Sequence, residues 1–181
     1  MRRVAILILA ALCLPPPAGA QEADLALAVK AAYMVKFQPF ITWPASSFAG
    51  PAAPFTLCVA GRDPFGALID RAAADQRFDG RAVAVRRIAD ATDSAGCQIL
   101  YLAAADPLTL RQSLDAVRNR PMLTVTDAAE QPDAQGMINF LVIDSRIRFT
   151  IDDEAAEASG LDISSKLLSL AVSVRRKGGK E

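Results

Sequence analysis

Histidine is absent from all 181 residues. The commonest general base and metal ligand is therefore missing, which excludes a Ser-His-Asp triad and a histidine-based zinc site. Cysteine is scarce: of three residues, Cys58 and Cys97 stand 39 positions apart and make no zinc cluster. Glycine-rich phosphate motifs are also missing. Gly61-Arg-Asp-Pro-Phe-Gly66 joins a predicted strand to a predicted helix, but it has neither the Gly-Lys-Ser/Thr of Walker A nor G-x-G-x-x-G. Asp152, Asp153, Glu154 and Glu157 lack EF-hand spacing and read as partners of a helix N-terminus. Basic and acidic residues balance at 20 each, so nothing attracts nucleic acid. The basic run Arg175-Arg176-Lys177 with Lys180, beside Gly178-Gly179, reads as a solvated tail. No stretch offers 18 unbroken apolar residues, so no membrane insertion of the mature chain is expected. No catalytic residue, cofactor or metal is assigned.

What is present begins with an export signal. Arg2-Arg3 precedes an apolar run from Val4 to Leu14, then Pro15 to Pro17, then Ala18-Gly19-Ala20, which satisfies the small-x-small rule for cleavage. Residues 1–20 are read as a cleaved signal peptide, with the mature chain starting at Gln21 and a periplasmic destination. A lipoprotein signal at Cys13 is disfavoured because Leu12 is large for the preceding position. Residues 21–181 then suffice for one domain with a proper core. Loss of Arg2 and Arg3 leaves 18 basic against 20 acidic residues.

The pattern along this domain predicts an α/β fold. Phe55 to Gly61 is a short apolar run ending at glycine, as a buried strand does. Asp63-Pro64 offers an N-cap and a proline at the first helical position, followed by Leu68, Ile69, Ala72 and Ala73 at helical spacing. The device returns at Asp106-Pro107, after a strand from Ile99 to Ala103 and before Leu110, Leu114 and Val117. Val83 to Ile88 and Met122 to Asp127 add strands, and segments 45–54 and 128–135 are expected loops. Ile138 to Ile143 and Arg146 to Ile151 form a predicted hairpin across Asp144-Ser145, followed by one long apolar helix from Asp152 onward. The expected architecture is a three-layer sandwich: a mixed, mostly parallel sheet with a C-terminal antiparallel hairpin, and helices on both faces.

Three groups of residues are singled out. Cys58 and Cys97 have one possible pairing in an oxidising compartment, so a bridge is expected. Two buried thiols are the alternative, since neighbouring parallel strands suit a bridge poorly. Closing such a loop stabilises by about 4 kcal/mol on the chain-entropy model. Tyr33, Phe37, Phe40, Ile41 and Trp43 concentrate large side chains ahead of Pro44. Tyr33 and Phe37 are expected to pack on the sheet. Phe40 and Trp43, near Pro39 and a surface loop, read either as packing or as a partner or subunit surface. Arg146 and Arg148 share one strand face and suit an acidic partner loop, with solvated edge charges as the plainer account.

Several motifs together carry a family resemblance. Lys30-Ala-Ala-Tyr-Met-Val-Lys-Phe37 running to Ile41-Thr-Trp-Pro44, Leu57-Cys58-Val59 with Gly61, Cys97-Gln-Ile-Leu-Tyr101, Leu123-Thr-Val-Thr-Asp127 and the block from Gly136 to Ala171 occur in the order of the YfiR family. The resemblance spans residues 29 to 172. Gln135-Gly136 stands where many members have a glycine pair, Gln98 where a histidine often follows the cysteine, and Gln38-Pro39 interrupts the first motif. The resemblance implies a periplasmic, non-catalytic regulator that binds the periplasmic part of an inner-membrane diguanylate cyclase, or a similar sensor, and inhibits it. It also implies a homodimer and a redox role for cysteines, which in this chain would rest on Cys58 and Cys97. The alternative function is a periplasmic small-ligand-binding sensory module serving a transporter or kinase. Its pocket would lie at the carboxyl ends of the parallel strands, near Gly61-Arg62-Asp63 and Ala105-Asp106.

Overall fold

Lys30, Ala31, Met34 and Phe37 recur at helical spacing and are all buried, so the first long element presents one face inward. It is α1, Ala18–Lys36, and Pro39 follows in a single 3-10 turn over Gln38–Phe40. The computed structural model describes residues 18–103, 106–128, 132–176 and 178. Most of the expected signal segment, Ala105 of the expected pocket, and Lys177 and Lys180 of the basic tail lie outside the described residues.

The chain continues through β1 (Ile41–Thr42), β2 (Phe55–Gly61), α2 (Ala67–Ala73), β3 (Arg77–Phe78), β4 (Arg81–Ile88), β5 (Ile99–Ala103), α3 (Pro107–Ala116) and β6 (Leu123–Thr126). It ends with β7 (Ile138–Ile143), β8 (Arg146–Asp152), α4 (Asp153–Ala158), β9 (Asp162–Ile163), α5 (Ser165–Leu168) and β10 (Val174–Arg175). Eight strands form one sheet in the order β10-β8-β7-β6-β5-β2-β4-β3. Strands β2, β4, β5, β6 and β7 are parallel, while β7–β8 and β3–β4 are antiparallel. Alternation along β2 sends Leu57 and Val59 to a core shared with α1 and α2, and Cys58 and Ala60 to a second core beneath α3. The expected mostly parallel sheet, with a hairpin and helices on both faces, is what the chain forms.

Local chemistry explains the joins. Asp106 accepts hydrogen bonds from the Thr109 N–H and hydroxyl, and Pro107 opens α3 as expected. Asp144 and Ser145 take positive φ values of 49° and 57°, a two-residue hairpin loop with both residues left-handed. Gly136 has no room for a side chain, since a Cβ there would lie 2.8 Å from the Thr124 carbonyl oxygen. Close packing of β6 against this loop therefore requires a glycine at position 136.

Three expectations are corrected. The predicted long C-terminal helix is α4, β9 and α5 instead. The helix stops at Gly160, with φ +77°, where Gly160 N–H bonds Glu157 O and Leu161 N–H bonds Ala156 O. The next two residues pair with β1, Ile41 with Ile163 and Thr42 with Asp162, so Leu161, Ile163 and Leu167 enter the core from a bent segment. Asp63-Pro64 does not start α2. Asp63 accepts from the Phe65 N–H, Phe65 drops into the core, and the helix begins at Ala67 after Gly66. β3 was not expected; it pairs back on β4 through Asp79-Gly80, both with positive φ.

Candidate functional site

β8 is paired along its whole length with β7, but only half of its other side is covered. β10 pairs with Ile151 and Asp152 alone, and the Val172 N–H bonds Phe149 O. The cover is pinned where Asp152, which also accepts from the Ala155 N–H, forms an ion pair with Arg175. Arg146 to Arg148 therefore keeps an open edge among the described residues. Arg146 and Arg148 are exposed on one face, opposite Ile143 and Leu141, and neither has an ion-pair partner among the described residues. Val142 is 61% exposed, Ile143 39%, Leu170 61% and Val172 52%, so large apolar groups lie at the end of β7 and on the segment that leads into β10. An open ladder, two unpaired guanidiniums and exposed apolar side chains suit an added extended segment carrying acidic and apolar residues.

Cys58 and Cys97 are bonded, with Cα atoms 5.8 Å apart. The awkward parallel-strand geometry does not arise. Cys58 is paired in register with Leu100, whereas Cys97 precedes β5 and follows left-handed Gly96. Both residues are buried. Arg86, the register partner of Cys58 on β4, reaches over the bridge. It donates to Cys97 Sγ at 3.0 Å, to Ala95 O at 2.6 Å and to Asp93 O at 3.2 Å. Cys97 also lines a surface cavity of about 320 Å³ with Ser46, Ser94 and Arg120.

The four residues expected at a partner surface do not share one environment. Arg146 and Arg148 are exposed on β8, while Phe40 is half-buried and its carbonyl accepts from the Ser164 N–H at 2.9 Å. Trp43 takes the packing alternative: it is buried, with its ring 5.0 Å from Phe55 and 5.6 Å from Phe78, and its Nε1 donates to Gln98 O at 3.1 Å. The unforeseen β3 supplies Phe78 and closes the pocket around the indole. Gln98 is the hub behind it. Its Oε1 accepts from the Thr56 N–H at 2.7 Å, its Nε2 donates to Ser47 O, and its own N–H bonds Thr56 O at 2.8 Å.

A further cluster sits at the carboxyl ends of β2, β5 and β6. Lys30 of α1, with its side chain 9% exposed, forms an ion pair with Asp127. Beside it Arg62, Pro64, Tyr101, Leu102, Ala103, Leu110 and Asp127 line a cavity of about 460 Å³. Tyr101 is buried edge-on against Phe65 at 4.8 Å, and its hydroxyl has no hydrogen-bond partner among the described residues. Burial, helped by the Asp127 and Asp63 carboxylates, pushes that hydroxyl well above its ordinary value, so it stays protonated. Asp63 is itself taken by Arg87 at 2.8 Å, and Arg87 also binds Asp70, whose carboxyl it lowers.

Sequence reading missed Lys30, Tyr101, Asp127, Gln98 and Arg86. The available signal for Lys30 was a charge on the buried face of an apolar helix, where an uncompensated ammonium is costly. For Arg86 the signal was weaker, because its contact with the bridge depends on strand register.

Fold and surface together define a disulfide-bridged, three-layer α/β domain with a half-open, cationic sheet edge. Residues 27–172 match the model of the YfiR/HmsC-like family, and the chain belongs to that family. No curated protein matches the chain. At the level of the family, this supports a periplasmic regulator of the cyclic di-GMP pathway; the family is a regulatory, non-catalytic one that implies a membrane diguanylate cyclase partner. No described helix is long and apolar enough to cross a membrane.

Proposed function

We propose that this protein binds the periplasmic part of an inner-membrane diguanylate cyclase, or a similar sensor, and holds it inactive. The observation that carries the contact is the half-covered edge of β8, where Arg146 and Arg148 stand exposed beside unpaired backbone. An acidic, extended segment of the receptor adds to that edge as a strand, with its acidic residues on the face of Arg146 and Arg148 and its apolar residues on the opposite face, that of Ile147 and Val142. The half-buried Phe40 offers a separate contact on the β1 side. Inhibition requires only that the inactive receptor conformation be bound more tightly than the active one. A thousand-fold preference corresponds to about 4 kcal/mol, within the reach of an ordinary interface. Release under envelope or redox stress raises cyclic di-GMP, and the redox arm acts through Cys58 and Cys97. There, thiol exchange with an external dithiol supplies two electrons and two protons and leaves two thiols. A homodimer of the regulator matches a dimeric receptor.

The test is cyclic di-GMP in the native bacterium with the gene deleted, restored, and restored as the Arg146→Glu, Arg148→Glu double variant. Deletion should raise the level, wild type should reverse it, and the double variant, exported and folded at normal abundance, should not. Full repression by the double variant would remove the β8 edge from the interface. Unchanged levels on deletion would remove cyclase control itself.

A further inference from the structure

The parallel part of the sheet changes direction once. From β2 the chain crosses to β4 on one side, then returns to place β5 on the other side of β2, so the crevice beyond Gly61 and Ala103 is a topological switch point. Gly61, with φ +81°, is pressed against Ala103 so closely that a Cβ would lie 2.6 Å from its carbonyl oxygen. The two strand ends are thereby held together at the cavity of about 460 Å³ that Arg62, Tyr101, Leu102, Leu110 and Asp127 line.

The charges there are unevenly committed. Asp127 is neutralised by Lys30, and Asp63 by Arg87 and the Phe65 N–H. Arg62 lines the cavity without a carboxylate partner, and Tyr101, a buried residue, lines it with a hydroxyl that has no hydrogen bond, among the described residues. A cationic ligand would find both nearby carboxylates occupied. A phosphate would find the N-terminus of α3 already filled by the Asp106 carboxylate. Two donors beside apolar walls suit one carboxylate on an apolar body.

We propose that this crevice binds a small organic monocarboxylate, with Arg62 and Tyr101 donating to its carboxylate and Pro64, Leu102 and Leu110 receiving its apolar body. The site stands on the cavity and its donors, independently of any receptor at the β8 edge.

The test is calorimetric titration of the oxidised full mature chain with benzoate, phenylacetate and hexanoate, with benzylamine and benzyl alcohol as the cationic and neutral contrasts. At least one carboxylate should bind, moving the backbone amide resonances of Leu102 and Ala103. Arg62→Ala should weaken it about ten-fold or more, equivalent to about 1.4 kcal/mol, and Tyr101→Phe about three- to ten-fold with an unchanged melting temperature. Benzylamine should bind at least about ten-fold more weakly. Four results would each overturn the assignment. These are no carboxylate binding up to about 10 mM, equal affinity in Arg62→Ala, benzylamine binding as well as the acids, and amide shifts confined to other parts of the molecule.

Discussion

Gln98 joins three parts of the fold, and its replacement measures how much that junction contributes. In Gln98→Ala the Thr56 N–H and the Ser47 carbonyl both lose their partner, while the backbone bonds of residue 98 to Trp43, Thr56 and Leu123 persist. A donor or acceptor left unsatisfied costs about 1–3 kcal/mol when buried, and both groups here are only part-buried, so the low end applies to each. The void left by a side chain that is 1% exposed adds about 1 kcal/mol. The expected loss is about 3 kcal/mol, which for a domain of this size lowers Tm by about 6–12 °C. Urea unfolding followed by the single Trp43 reports it directly, because the indole leans on the same residue. Gln98→Glu separates the hydrogen bonds from the volume. Its carboxylate still accepts from Thr56 but faces the Ser47 carbonyl, so the folded state favours the protonated acid and raises its pKa. Stability is then lost as pH rises through that folded value, and relative to wild type the variant should recover as pH falls from 7 to about 4.5. A Gln98→Ala loss under about 1 kcal/mol, or a Gln98→Glu deficit independent of pH, would refute the account.

Removing the bridge in Cys58→Ala, Cys97→Ala frees a loop with a sequence separation of 39 and should cost about 4 kcal/mol by urea unfolding. The same loss should appear when the wild type is reduced. Asp144→Asn with Ser145→Gly should stabilise by about 1 kcal/mol, since both positions are left-handed and the wild-type residues tolerate that poorly. No gain in denaturant midpoint would mean that the loop changes conformation. Asp153 is held above the ordinary carboxylate value, by burial first and then by Glu157. The folded chain therefore binds that proton more tightly than the unfolded chain, and stability falls as pH rises from the unfolded to the folded value. Asp153→Asn should accordingly be the more stable protein at pH 7 and lose its advantage below about pH 4, as thermal melts across pH would show.

Much of the sheet could be read directly because its signals are local. Apolar runs such as Phe55 to Gly61 and alternation from Arg146 to Ile151 identify strands without knowledge of their neighbours. The C-terminal segment misled because Ala156, Leu161, Leu167 and Leu168 keep a helix-like spacing on both sides of Gly160. The Schellman closure there, followed by pairing with β1, overrides the period. The Cys58–Cys97 bridge was readable from compartment and count, and the shared exposed face of Arg146 and Arg148 from alternation. Trp43 was ambiguous because its burial depends on β3, a two-residue strand. Lys30 and Asp127 could not be paired in advance. They are 97 residues apart, and only the crossover order of the sheet brings α1 to the end of β6.

The arginines of β8 also bear on self-association. Two copies meeting edge to edge about a two-fold axis at Ile147 would set Arg146 of each opposite Arg148 of the other, placing four guanidiniums on one strand pair. That arrangement repels, so the edge discriminates against its own chain while welcoming an acidic one. Any dimer of this protein would then be built on another surface and would leave β8 vacant. Raising the protein's abundance would not consume the edge through self-pairing, and under the proposed function its occupancy would follow the acidic partner alone.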